Sequence, residues 1–197
     1  MSTAVEDSAA ASHAAAQPAR RHRSRALTAR LGAGAGLVAC ALGLGIIGGL
    51  GWGWLRPAYV GTVAHGGVAV DQVASPANVE FAALGWFSLF TAVIGTVLAA
   101  IAVRQAARGR ARGGVVAILW LMLCGLAAAF AVYTTGNLLV SVGQQGLTEL
   151  PDGEPLHVVP PVAPAGLGVA WFVGPFTAAL SYWLANLSAF WAEEDTE

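Results

Sequence analysis

In the two segments expected to lie outside the apolar spans, His65, Asp71, Asp152, Glu154 and His157 have the chemistry to hold a metal ion or pass a proton. An imidazole beside a carboxylate makes a ligand set or an acid–base pair once the fold brings the two within reach. Their spacing does not gather them. No His-x-x-x-His pair occurs, and His65 and Asp71 lie in a different segment from Asp152, Glu154 and His157. A Gly-x-Ser-x-Gly elbow, a P-loop, a dinucleotide fingerprint and a zinc-protease motif are missing as well. The reading is therefore non-enzymatic, with no catalytic residue, no metal and no cofactor expected.

What separates the two segments is more informative. Leu31–Leu55, Phe81–Val103, Gly113–Thr148 and Leu156–Ala192 contain no Asp, Glu, Lys or Arg. A hydrocarbon layer about 30 Å thick takes roughly 20 apolar residues to cross as a helix, and each run is long enough. Composition agrees, with 11% charged residues against about 25% in a globular domain, and a mean hydropathy of +0.65. The expected fold class is an all-α membrane protein. It is a bundle of four transmembrane helices, at about 31–55, 81–103, 113–140 and 165–191, with a small outward-facing cap. Residues 1–25 read as a disordered tail, 26–192 as the transmembrane domain and 193–197 as a short acidic tail.

Charge sets the direction of the spans. Arg20, Arg21, Arg23, Arg25 and Arg30 precede the first run, and Arg104, Arg108, Arg110 and Arg112 fill the turn after the second. An even number of spans puts both groups on one side together with both termini, leaving only Arg56 opposite. Cytoplasmic loops carry the excess arginine, and an arginine at mid-bilayer costs about 2.5–3.5 kcal/mol. The expectation is a multi-pass protein of the plasma membrane with both ends in the cytoplasm. A cleaved signal peptide would have an apolar run of roughly 7–15 residues and a small-residue cleavage site. Here the run is longer and ends in Trp52, Trp54, Leu55, Arg56 and Pro57. Because the arginines flank spans, their expected counterions are anionic lipid headgroups and not nucleic acid.

The two outward segments differ in kind. Tyr59–Val63 and Val68–Val70 around Gly66-Gly67 suggest a hairpin, too small to stand alone in water. Ser141–Pro164 holds Pro151, Pro155, Pro160, Pro161 and Pro164 and should be extended and irregular. Within the spans, Ala41, Gly45, Gly49 and Gly53 repeat every four residues, with Gly32, Gly36 and Cys40 in a second row. Such rows let two membrane helices approach closely, whether the partner is another span or another protein. Cys40 and Cys124 are expected as small packing residues with no bond between them, and Gly174-Pro175 as a kink in the fourth span. Trp52, Trp54, Tyr59, Trp86, Phe87, Tyr182, Trp183 and Trp191 read as interfacial anchors. No ionisable residue falls at mid-span, which argues against proton-coupled transport.

Arg56-Pro57, the Val-rich run to His65-Gly66-Gly67, Asp71 and the string Glu80-Phe81-Ala82-Ala83-Leu84-Gly85-Trp86-Phe87 carry a resemblance. They resemble a domain-of-unknown-function family of small four-span membrane proteins from mycobacteria, corynebacteria and related actinobacteria. The similarity extends over about Leu31 to Trp191 through the span plan, the Arg-rich turn and the Pro-rich segment. It implies a multi-pass plasma-membrane protein and brings no catalytic residue with it. In the string itself, Glu80 favours a helix start, Gly85 allows a close contact, and Trp86 and Phe87 sit at headgroup depth. Gly45, Gly49, Gly53, Asp71, Glu80, Gly85 and Trp86 are the candidate interaction residues. The expected function is an accessory or scaffold subunit that binds the lipid bilayer and a membrane or envelope partner. The alternative is a small transporter or lipid-handling protein hinged at Gly174-Pro175.

Overall fold

A computed structural model describes residues 32–64, 67–109, 113–147 and 150–194, with side chains as far as Trp191. The expected amino tail, the five arginines from Arg20 to Arg30, His65, Arg110, Arg112, Glu149 and residues 195–197 lie outside the described residues. Four helical stretches are long and apolar enough to cross a membrane. They are α1 (Gly32–Leu55), α2 (Val79–Ala107), α3 (Val115–Gly143) and a 3-10 segment (Pro164–Phe172) that runs into α4 (Val173–Glu194). Even the shortest of these four, 24 residues, reaches about 36 Å at 1.5 Å per residue.

Missing side chains let the helices come together. A Cβ on Gly45 would lie 2.7 Å from the Ala128 carbonyl, one on Gly49 2.7 Å from that of Val132, and one on Gly53 2.9 Å from that of Gly136. This row of α1 is thus filled by the backbone of α3 in the same chain. A neighbouring row faces α2, where Cβ atoms on Gly48 and Gly51 would meet Ile94 and Phe90 side chains at 2.9 Å. At the start of α4, Gly174-Pro175 wedges between α2 and α3. A Cβ on Gly125 would sit 2.9 Å from the Pro175 nitrogen, and one on Gly95 would run into the Gly174 carbonyl and the Thr177 hydroxyl. Close backbone approach maximises dispersion contact, which is what holds apolar helices together when lipid is as apolar as leucine. Hydroxyls add little across helices. Thr91 and Thr134 donate to carbonyls of their own helix, those of Phe87 (3.0 Å) and Phe130 (2.9 Å), while Thr177 also reaches Ala92 of α2 at 3.3 Å.

A three-stranded antiparallel sheet joins the ends of α1 and α3. β1 (Tyr59–Ala64) pairs with β2 (Gly67–Val70) on one side and with β3 (Pro155–Val158) on the other. The hairpin therefore forms, and the Pro-rich segment supplies the third strand where an irregular course was expected. Pro155 opens β3 opposite Thr62, a strand start on an edge where a missing N–H costs nothing. The ladder is prolonged by Val63 N–H to the Glu154 carbonyl (3.1 Å) and Gly153 N–H to the Val63 carbonyl (2.8 Å). Leu156 and Val63 are buried beneath.

Several expectations shift. The fourth span is not one helix kinked at Gly174-Pro175. It breaks earlier, at Gly168 (φ 47°, ψ −121°), and Pro175 sits in the first turn of α4, where its missing N–H has no helical partner to lose. α4 also continues through Glu193 and Glu194, which had been assigned to the tail. Trp52, Phe87 and Tyr182, expected at the interface, are at most 2% exposed and belong to the core, whereas Trp54, Trp183 and Trp191 do face outward. Cys40 and Cys124 are unbonded, the first exposed and the second buried.

The close packing makes a contrast that thermal unfolding in a neutral detergent will read. Gly49→Ala forces its methyl against the Val132 carbonyl and should destabilise by about 1–3 kcal/mol. Gly43→Ala, where a Cβ meets nothing within 4 Å, should hold or slightly raise the midpoint, because alanine is the better helix former.

Candidate functional site

Trp52, fully buried near the end of α1, holds the sheet end of the bundle together. Its indole Nε1–H donates to the Ala83 carbonyl of α2 at 2.8 Å. Phe87 of α2 meets the ring edge-on at 5.3 Å, and Tyr133 of α3 lies 6.4 Å away. Trp171, in the 3-10 segment, packs on both Phe87 (5.8 Å) and Tyr133 (5.3 Å). Each of the four spans thus contributes one ring to a single cluster. On α3, Gly136 makes room for it, because a Cβ there would run into the Trp52 ring.

One helical turn past Trp52, just beyond the end of α1, stands Arg56. Residues four apart share a helix face, and the guanidinium lies over the Trp52 ring with Cζ 4.5 Å from the centroid. The side chain is only 5% exposed. Its Nη1 donates to Asn137 Oδ1 at 2.9 Å and its Nη2 to the Pro160 carbonyl at 2.5 Å. Arg56 Nε and Asn137 Nδ2 are buried with no hydrogen-bond partner among the described residues. Burial pushes the guanidinium below its ordinary value, with Tyr133 opposing, yet arginine stays protonated wherever proteins fold. A cationic group whose folded pKa is lowered costs stability at every pH below that value. The cost is therefore constant through the neutral range and relieved only in strong alkali.

The Pro160 bond is one of a series. Gln144 Nε2 donates to the Val159 carbonyl (3.0 Å), the Tyr133 hydroxyl to that of Val162 (2.9 Å) and Trp171 Nε1 to that of Pro164 (3.0 Å). Prolines at 160, 161 and 164 have no N–H, so this stretch cannot satisfy its own carbonyls with regular structure. Side chains from the spans do it instead, and residues 159–164 become a strap across the ring cluster.

The sequence-selected residues fall elsewhere and do not converge. Gly45, Gly49 and Gly53 face α3. Asp71 Oδ1 accepts from the N–H groups of Val73 (2.9 Å) and Ala74 (3.0 Å), which fixes the turn after β2. Glu80 is exposed in the first turn of α2, as a carboxylate at a helix start should be. Gly85 has open space where a close contact was expected, because the buried face of α2 is Val79, Ala83 and Phe87. Trp86, on the open side, leans on Phe90 at 6.4 Å. Asp71 N–H bonds to Val60 from one side of β1, while His157 pairs with Val60 from the other, a separation of two strand spacings, about 9–10 Å. Among the described residues, no His, Cys, Asp or Glu cluster able to hold a metal is present.

Of Arg56, Tyr133, Asn137 and Trp171, the sequence marks only Arg56, as the lone arginine on its side and within the resemblance; the other three are not among its candidate residues. The four-residue step from Trp52 to Arg56 was the available signal, a cation and an indole on one helix face. The whole defines a class: a bundle of four apolar helices closed at one end by a small sheet and an arginine-held strap. No protein-family model, curated protein or solved structure matches the chain.

Two indole substitutions separate the cluster from the surface. Trp52→Phe deletes the bond to Ala83 and part of the ring contact, and should destabilise by about 1–3 kcal/mol. Trp86→Phe, on the open face, should stay within about 0.5 kcal/mol of wild type. Unfolding midpoints in the same detergent compare them.

Proposed function

We propose that the chain is a multi-pass plasma-membrane protein with both termini in the cytoplasm, acting as a non-enzymatic accessory or scaffold subunit for another membrane or envelope protein. The four apolar helices support membrane insertion, and the arginine asymmetry supports the orientation. Membership of the actinobacterial four-span family belongs to the same proposal, on the strength of the Glu80–Phe87 string.

The observation that carries a scaffold over a carrier is the lock at Gly174-Pro175. Alternating access needs a segment free to move, and this one is pressed against Gly95 on one side and Gly125 on the other. The polar atoms nearby bond to backbone inside the bundle. The surfaces left for a partner are the open face of α1 at Gly36 and Gly43, and the open face of α2 at Phe81, Gly85 and Trp86. The row at Gly45, Gly49 and Gly53 is already filled by α3, so substitutions there test folding and not partner binding.

Photocrosslinking in native membranes tests this reading. A crosslinker at position 43 or 85 should capture a discrete membrane or envelope protein, while one at Trp54, whose exposed ring points away from the bundle, reports the lipid background. Lipid adducts alone at positions 43 and 85 would remove the scaffold reading. For orientation, a carboxyl-terminal alkaline phosphatase fusion should be inactive and a fluorescent-protein fusion at the same point bright. An active phosphatase would reverse the topology.

A further inference from the structure

We infer that the chain associates head to tail with copies of itself, the open face of α1 in one copy packing on the open face of α4 in the next. This rests on the membrane insertion proposed above and not on the scaffold role, for which the open face of α2 stays free. The two faces have opposite relief. Gly32, Gly36, Cys40 and Gly43 are all exposed on α1, and a Cβ on any of the three glycines would meet nothing of this chain within 4 Å. Positions three and four apart share a helix face, so they form a shallow channel. Phe172, Phe176, Leu180 and Trp183 recur at the same steps and stand outward as a ridge. Membrane helices associate where small residues let a neighbour's side chains or backbone come close, ridge into groove.

Channel and ridge also lie at one depth. Gly45 meets Ala128, Gly49 meets Val132 and Gly53 meets Gly136, a constant step that puts Cys40 about level with Leu123 of α3. Two residues further along α3, Gly125 packs on Gly174-Pro175. All helices rise about 1.5 Å per residue, so Cys40 is about level with Phe176. The ring cluster ties the same two helices a second time, since Trp52 and Trp171 both pack on Phe87 and Tyr133. The first and fourth spans run in opposite directions, so Gly32–Gly43 and Phe172–Trp183 cover the same layer. Copies inserted alike in one bilayer differ by a shift in its plane and a rotation about its normal, and both preserve depth. The ridge of one copy therefore reaches the channel of another at matching height.

Charge selects this pairing over a two-fold pair of α1 helices. Arg20, Arg21, Arg23, Arg25 and Arg30 lead into α1, and Glu193, Glu194, Asp195 and Glu197 follow Trp191 at the same end of the bundle. Arg104, Arg108 and Arg112 mark the other two helix ends there, so only the end of α4 offers the α1 arginines an opposite charge. Two α1 faces packed on each other would bring both arginine groups together. Complementary charge of this kind sets partner and orientation more than affinity.

The test oxidises native membranes holding the full chain with copper phenanthroline and reads a non-reducing gel. Cys40 is exposed and Cys124 buried, so the wild type presents one reactive thiol and should stay monomeric. Phe176→Cys should give a ladder of dimer and higher species, because a head-to-tail contact repeats. Cys40→Ala/Phe176→Cys should give none by itself and only a dimer when mixed in one membrane with wild type. Gly36→Leu added to Phe176→Cys fills the channel and should abolish the ladder, with an unfolding midpoint in detergent unchanged from Phe176→Cys. Three results overturn the inference: membrane-inserted Phe176→Cys without a ladder, whether lipid or another protein covers the face; wild-type Cys40 dimers in equal yield, which mark a two-fold pair; and a ladder that survives Gly36→Leu, which marks chance collision. Absence of the chain from the membrane fraction removes the insertion reading itself, and this inference with it.

Discussion

The stacking of Arg56 on Trp52 is the constraint from which the sheet end of this protein follows. A buried cation requires acceptors from every direction that water has left. The Trp52 ring covers one face of the guanidinium, Asn137 of α3 takes one amino group, and the Pro160 carbonyl takes the other. Residue 160 is therefore fixed relative to α1 and α3, and β3, which ends at Val158, is brought alongside β1. Gln144, Tyr133 and Trp171 hold the rest of the strap at Val159, Val162 and Pro164, so the arginine acts as one of four anchors along it. The same ring joins the spans, since Ala83 and Phe87 come to it from α2 and Tyr133 from α3.

Below that level the bundle runs on different physics. Glycines at Gly45, Gly49, Gly95, Gly125 and Gly174 set the helix separations, and polar side chains are turned back onto local carbonyls. Helices this apolar would gain nothing in hydrocarbon from hiding more hydrocarbon, so there their association would rest on shape. That division explains why large apolar side chains such as Ile47, Phe81 and Phe130 face outward while small residues fill the interior.

How much of this was legible depends on range. The spans were legible because a charge-free run is a local property, and the structure moves their ends only slightly, with α2 beginning at Val79 and α3 at Val115. The hairpin was legible from two β-rich runs and a glycine pair. The third strand was not, since a Pro-rich stretch reads as irregular until a neighbouring edge offers it partners. The candidate residues fared similarly. Glycine spacing revealed that α1 packs tightly but not on what. Asp71 is seen to fix the turn after β2, and Gly85 lies on the open face of α2 with nothing of this chain within 4 Å of where a Cβ would sit.

What the sequence determined by itself was the apolar length of the spans, the arginine asymmetry and the rows of small residues, each a sum or a period along the chain. What only the tertiary structure decided was which aromatic rings are core and which face outward, where the fourth span breaks, and that one arginine is buried among neutral groups. Trp52 and Trp54 are two residues apart with the same chemistry, and only the position of α2 and α3 makes one fully buried and leaves the other 82% exposed. A buried charge leaves no mark on composition, because its partners, Asn137 and Pro160, come from parts of the chain that the fold alone brings to it.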